Sequence, residues 1–153
     1  MKRIFILLII CDLFFCSMNA QIHFHANVAN NHLWRGMEVA DGMVFTSDIS
    51  LTDKNEYFRI GLWGGTNTSG TYKEFNHYVS FTYRQLNLSV WDTYNFSPGA
   101  TYNNKEYFNY SAHSTGRFID ATLSYRFGKQ FPLFVAWSTI LFGRDRNTSN
   151  TAN

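Results

Sequence analysis

An all-β, antiparallel, up-and-down transmembrane barrel is the fold class this sequence predicts, and three observations carry it. Apolar and polar residues alternate with a period of two, most clearly where Ile119, Ala121, Leu123, Tyr125 and Phe127 oppose Asp120, Thr122, Ser124 and Arg126. The alternating segments run about 10–12 residues with aromatics near their ends, the dimensions of a tilted strand crossing a bilayer between two aromatic belts. Aromatics make up 18% of the chain and charged residues only 16%, where a soluble domain carries about 25% charged.

The N-terminus sets the compartment. Lys2 and Arg3 precede an apolar run from Ile4 to Ile10 with Leu13, Phe14 and Phe15, and Ser17-Met18-Asn19-Ala20 closes it with small and polar residues. This is the pattern of a secretory signal peptide over 1–20, cut after Ala20; Asp12 interrupts a run too short to be a membrane anchor. Cys11 and Cys16 follow Ile10 and Phe15 rather than a small residue, which argues against lipidation, and both leave with the signal. The mature chain then has no cysteine for a disulfide, a thiolate nucleophile or a metal site. A net charge of +2 with dispersed basic residues gives no footprint for nucleic acid.

Seven segments follow within a single domain expected over 21–142. The first, about 22–34, sets Ile22, Phe24, Ala26 and Val28 against His23, His25 and Asn27. The second, about 43–51, sets Met43, Phe45, Ile49 and Leu51 against Val44, Thr46, Asp48 and Ser50. The third, about 56–64, sets Phe58, Ile60 and Leu62 against Tyr57, Arg59, Gly61 and Trp63. The fourth, about 73–84, sets Phe75, Val79, Phe81 and Tyr83 against Asn76, Tyr78, Ser80 and Thr82, and the fifth, about 86–95, sets Leu86, Leu88 and Val90 against Asn87, Ser89 and Trp91. The sixth and seventh form a hairpin over 117–142 whose second arm is apolar on both faces.

The connections alternate in character. Those at 52–55, 84–85 and 128–131 are short, whereas 36–42, 65–72 and 96–116 are longer and rich in Gly, Asn, Ser and Thr. Outer-membrane barrels show this asymmetry, with tight periplasmic turns and longer outward loops. Seven strands leave the chain on the outer side, and the polar residues 143–153 make no closing strand. Because single-chain bacterial barrels use an even count, the expectation is an incomplete barrel.

At 26–36, ANVANNHLWRG, the chain resembles the opening of the TorF-type porin family, in which a strand runs into an (S/N)-x-(Y/H)-(L/V)-(W/F)-R-G element. Asn31, His32, Leu33, Trp34, Arg35 and Gly36 carry the match, and RIGLWGGTN, with Trp63-Gly64-Gly65-Thr66-Asn67, is similar in style. The resemblance runs through Phe142. It implies an outer-membrane location, porin status and further strands beyond this chain; it implies no substrate and no catalytic residue.

Candidate site residues divide by face. Asp48, Arg59, Asp120 and Arg126 fall on the expected inner faces, as a plug in a narrow barrel or a selectivity wall in a wide one. Asp92 and His77 fall on the lipid side by parity, near the outer ends, where the cost of a charge fades. Trp34, Arg35, Gly36 and Trp63 read as interface and loop anchors, with Trp34 at the outer aromatic belt, Arg35 reaching loop backbone or lipid phosphate, and Gly36 allowing a sharp exit.

His23 and His25 share a strand face, but no further ligand lies close in sequence, so no metal is expected. His113-Ser114 with Glu106 and Asp120 invites a lipid hydrolase, yet adjacent residues in a polar loop do not ensure a nucleophile–base geometry. The leading expectation is therefore a passive outer-membrane channel without cofactor, in contact with outer-membrane lipid and passing small solutes. A barrel enzyme acting on lipid and a soluble β-sandwich or lipocalin-like binder are its competitors.

Overall fold

A computed structural model describes residues 20–99, 104–112, 114–128 and 131–143. The signal peptide expected over 1–20 and the polar tail over 143–153 lie outside the described residues except for Ala20 and Gly143, as does His113. The described chain is all-β: β1 (Gln21–Ala29), β2 (His32–Trp34), β3 (Met37–Ala40), β4 (Val44–Thr52), β5 (Phe58–Asn67), β6 (Lys73–Tyr83), β7 (Leu86–Asn95), β8 (Arg117–Arg126) and β9 (Phe134–Gly143).

Seven strands form one antiparallel sheet in the order β1-β4-β5-β6-β7-β8-β9, so each strand pairs with the next main strand along the chain. This is an up-and-down meander. β1 and β9 are its edges and are not hydrogen-bonded to one another, so the described sheet is open. Closure into a barrel is not seen among the described residues.

Register follows the alternation. Across the sheet, Ile22, Leu51, Ile60, Val79, Val90 and Ala121 stand in one cross-strand row, and Gln21, Thr52, Arg59, Ser80, Ser89, Thr122 and Ser138 in another. Partners directly opposite in an antiparallel pair share a face, so each row keeps to one side of the sheet. A slip of one residue anywhere would reverse a strand's faces, which is why the pattern specifies the pairing so tightly. The seventh segment, ambiguous by periodicity, is resolved by pairing. Ser138 lies opposite Thr122, their hydroxyls 2.7 Å apart, while Trp137 and Val135 share the apolar face with Leu123 and Tyr125.

The first expected strand is corrected. β1 stops at Ala29, and residues 32–40 form a separate two-stranded hairpin, β2–β3. The cause lies at its tip, where Arg35 (φ 52°) and Gly36 (φ 82°) are both left-handed. Two successive positive φ values make the reversal whose twist suits a two-residue hairpin loop. A second correction concerns the loop expected over 65–72: β5 runs on to Asn67, whose side chain accepts the Tyr72 N–H at 3.0 Å and donates to Thr71 at 2.9 Å. The difference in length between the two ends of the sheet is therefore carried by 30–43 and 96–116.

Candidate functional site

Burial runs opposite to that of a water-soluble sheet. The buried residues of the strands are largely polar, with Ser50 and Thr52 2% exposed, Asp120 4% and Asn76 5%. The exposed ones are large and apolar, with Ile22 72% exposed, Phe24 68%, Phe58 61% and Ile60 58%. The small cluster of buried apolar residues, Ala40, Val44 and Tyr72 with Trp63 packed against it, lies at the loop end of the polar face.

The polar face is ordered along the strand axis. Towards the loops, Glu74 lies in the row of Thr46 and Asn95, Asp48 in the row of Trp63, Asn76, Thr93 and Phe118, and Asp120 in the row of Ser50, Gly61, Tyr78 and Trp91. Arg59 stands one row further from the loops, and Arg126 lies at the turn end of β8. Successive rows on one face are about 6.6 Å apart along a strand. Carboxylates therefore occupy the loop end and arginines the opposite one.

Local bonds hold these groups. Tyr78 donates its hydroxyl to Asp48 Oδ1 at 3.1 Å and stacks on Trp91 with ring centroids 4.2 Å apart. Arg59 donates from Nη1 to Ser50 Oγ at 2.9 Å, and Glu74 Oε1 accepts from Asn76 at 2.8 Å. Tyr78 crosses to Asp48 over Gly61, where a Cβ would come within 2.4 Å of the tyrosine ring. Only glycine leaves the room.

Onto this face folds the β2–β3 hairpin. Arg35 at its tip forms an ion pair with Asp120 on β8, and its guanidinium lies 4.4 Å from the Trp34 ring centre. Burial lowers the Arg35 pKa. Trp34 meets Phe118 edge-on at 5.8 Å, while at the hairpin's base His32 packs against Trp63 at 5.5 Å and Tyr72 at 5.4 Å. Burial, reinforced by the nearby Glu74 carboxylate, pushes the Tyr72 hydroxyl up, which keeps it neutral. Between hairpin and sheet remains a cavity of about 540 Å³, whose walls include Trp34, Trp63, Trp91, Phe118, Glu74 and Asp120.

A second arrangement covers the other face. Arg117, His77 and Asp92 have outward parity, yet Arg117 is fully buried. Its Nη1 lies 2.6 Å from Asp92 Oδ2 and its Nε donates to the Tyr107 carbonyl at 2.8 Å. The rings of Tyr107, Tyr110 and Tyr94 surround the guanidinium at 4.3, 4.7 and 4.9 Å. The Tyr107 hydroxyl lies 2.7 Å from His77 Nε2, and Tyr110 donates to Asp92 at 2.8 Å. Burial, with Asp92 adding, raises the Tyr110 pKa, so this hydroxyl keeps its proton. Residues 104–112 of the loop after β7 thus lie over the rim of the apolar face and enclose the Arg117 guanidinium.

The expected site residues fall as follows. Asp48, Arg59 and Asp120 stand on the polar face, and only Asp120 meets the hairpin. Arg126 shares their parity but is exposed at the turn end, 5.3 Å from the Phe134 ring. Trp34 and Arg35 do not reach outward to a belt or to phosphate: the turn at Arg35-Gly36 directs them onto the polar face. Trp63 is an internal anchor beneath the hairpin base.

His23 lies 3.0 Å from the Thr52 hydroxyl, and no group of three His, Cys, Asp or Glu suited to a metal occurs among the described residues. Ser114 sits in the loop after β7, its oxygen 3.4 Å from Asn109. Sequence reasoning missed Glu74, Trp91, Phe118 and the caged Arg117. The available signal for the last was a charge at outward parity, with three tyrosines at 94, 107 and 110 nearby in sequence.

No family model, curated protein or solved structure matches this chain, so the TorF-type resemblance finds no counterpart there.

Proposed function

We propose that this chain forms part of the wall of an outer-membrane β-barrel and serves as a passive channel for small solutes. One observation carries the reading: the sheet buries its polar rows and exposes its apolar ones. In water each exposed large apolar side chain forgoes about 1.5–3 kcal/mol of burial. Such a face requires covering, and a bilayer covers it in full while leaving the polar rows along an aqueous path. The signal-like N-terminus supplies the route of export, and the WRG and LWGG stretches make a TorF-type porin the family of choice.

In this reading the hairpin is a constriction. It enters the lumen from the outer side and is pinned across it by Arg35 and Asp120. Permeation involves no covalent step; solutes are sorted by width and by the charges of the inner rows. The apolar, exposed face argues against a soluble sandwich, whose outward faces are polar.

The test uses the full chain as its gene encodes it. Expressed in a Gram-negative host, it should fractionate with the outer membrane, require detergent for extraction and give discrete conductance steps in a planar bilayer. Recovery as a soluble protein without detergent would overturn the membrane assignment. A folded, detergent-extracted protein that never conducts would overturn the channel alone.

A further inference from the structure

The cavity beneath the hairpin has a composition that its structural role does not require. A plug needs packing, yet about 540 Å³ is left open, and three of the chain's four tryptophans face this one space. Among the charged groups that line it are Glu38, Glu74 and Asp120 against Arg35 alone. Tryptophan faces carry negative electrostatic potential and attract cations to within about 6 Å, an effect worth more where water is scarce. An excess of carboxylates in the same walls adds to that potential.

Arg35 shows what the walls accept. Its planar guanidinium lies against a tryptophan ring and pairs with a carboxylate, satisfied on face and edge at once. It reaches this position on a hairpin tip, so the group in the cavity is held by one two-residue turn. Nearer the loops, the Trp63 ring lies over Gly65, the cross-strand partner of Glu74, which sets the same two kinds of surface side by side, with no ion pair or cation–π contact to either among the described residues.

We propose that the cavity is a binding site for small organic cations bearing a guanidinium or alkylammonium group, and that the Arg35 side chain is its built-in competitor. The proposal rests on the channel reading only for how a solute arrives, and names the class of solute that the constriction selects. The remaining acids towards the loops, Asp48 included, add to the local negative field. Arg59 and Arg126, further along the axis, leave the preference for cations confined to the loop end.

The test exploits where the tryptophans stand. Trp137 is on the apolar face, so a Trp137→Phe variant carries its tryptophan emission in the cavity alone. Folded in detergent micelles, it is titrated with argininamide, with glucose and with glutamate, and sheet content is followed by circular dichroism. Argininamide should give a saturable change, and glucose and glutamate none.

Glu74→Gln, which keeps the acceptor for Asn76, should weaken argininamide about tenfold, as loss of one charge-assisted contact does. Arg35→Gln, which removes the competitor, should tighten it. No saturable response, an equal response to glucose, or affinities unchanged in both variants would overturn the proposal. Binding is read without current, so the two readings fail separately. A protein that binds but does not conduct keeps the site; one that conducts without binding keeps only the channel.

Discussion

Two loops leave the same end of the sheet and fold to opposite sides of it. The hairpin at 30–43 turns onto the polar face and pins itself with Arg35 on Asp120; residues 104–112 of the loop after β7 lie on the apolar face and enclose Arg117 with Asp92. Both combine an arginine, an aspartate and aromatic rings. They differ in what surrounds the pair. Around Arg117 three tyrosines and a backbone carbonyl fill the space, and the guanidinium is wholly buried. Around Arg35 a cavity remains, and a third of its side chain is exposed. The same chemical kit makes a closed structural joint on one face and a contact beside an open cavity on the other.

The largest effect should come from breaking the closed joint. Arg117→Ala removes a fully buried guanidinium together with its bond to Asp92 and its contacts with three tyrosine rings, and removing one partner of a buried pair costs about 3–5 kcal/mol. Denaturant unfolding of the detergent-folded protein measures it. A loss below about 1 kcal/mol would show that the enclosure is not tight.

Next comes the contrast between the faces themselves. Leu62→Arg, on the apolar face of β5, should cost about 2–4 kcal/mol in phospholipid vesicles. Thr46→Arg on the polar face of β4 should shift stability by no more than about 0.5 kcal/mol. Equal penalties would erase the inside–outside distinction.

A smaller effect probes the support beneath the hairpin. Gly61→Val drives a side chain into the Tyr78 ring and must displace it from Asp48 and Trp91. Overpacking of this kind costs about 1–3 kcal/mol. A blue or red shift of tryptophan emission should accompany it, since the stacked Trp91 is disturbed.

The smallest expected change is in stability for Arg35→Ala, about 1 kcal/mol, because Arg35 is itself a third exposed and its removal opens the cavity to Asp120. Its functional effect should be the reverse in rank. Protease cleavage within 30–43 should quicken, and single-channel conductance should rise as the hairpin loosens. A variant as stable, as resistant and as narrow as the parent would mean that the ion pair does not hold the constriction.

How much of this was legible beforehand follows from the range of each interaction. The starts of all seven main strands are readable within about two residues, because alternation is local and its phase shows in a few consecutive side chains. The expected first strand runs on to Trp34 whereas β1 ends at Ala29, because the bend at Asn30-Asn31 carries no glycine or proline to announce it, while Gly36 marks an exit without revealing that the chain returns onto the polar face. Parity alone places Asp48, Arg59 and Asp120 on the polar face. That Asp120 meets Arg35, eighty-five positions earlier in the chain, no period could reveal.

The outward charges teach the same lesson. Parity places Asp92 and His77 on the apolar face, near the rim where the penalty is weak. The structure instead cancels the charge with Arg117 and wraps it in Tyr94, Tyr107 and Tyr110. The sequence by itself determined which residues alternate, where most strands run and which of their faces is polar, since these depend on neighbours one or two positions apart. Only the tertiary structure decided where the two long loops go. Their destinations depend on single contacts between distant residues, and on whether the space around each contact is filled or left open.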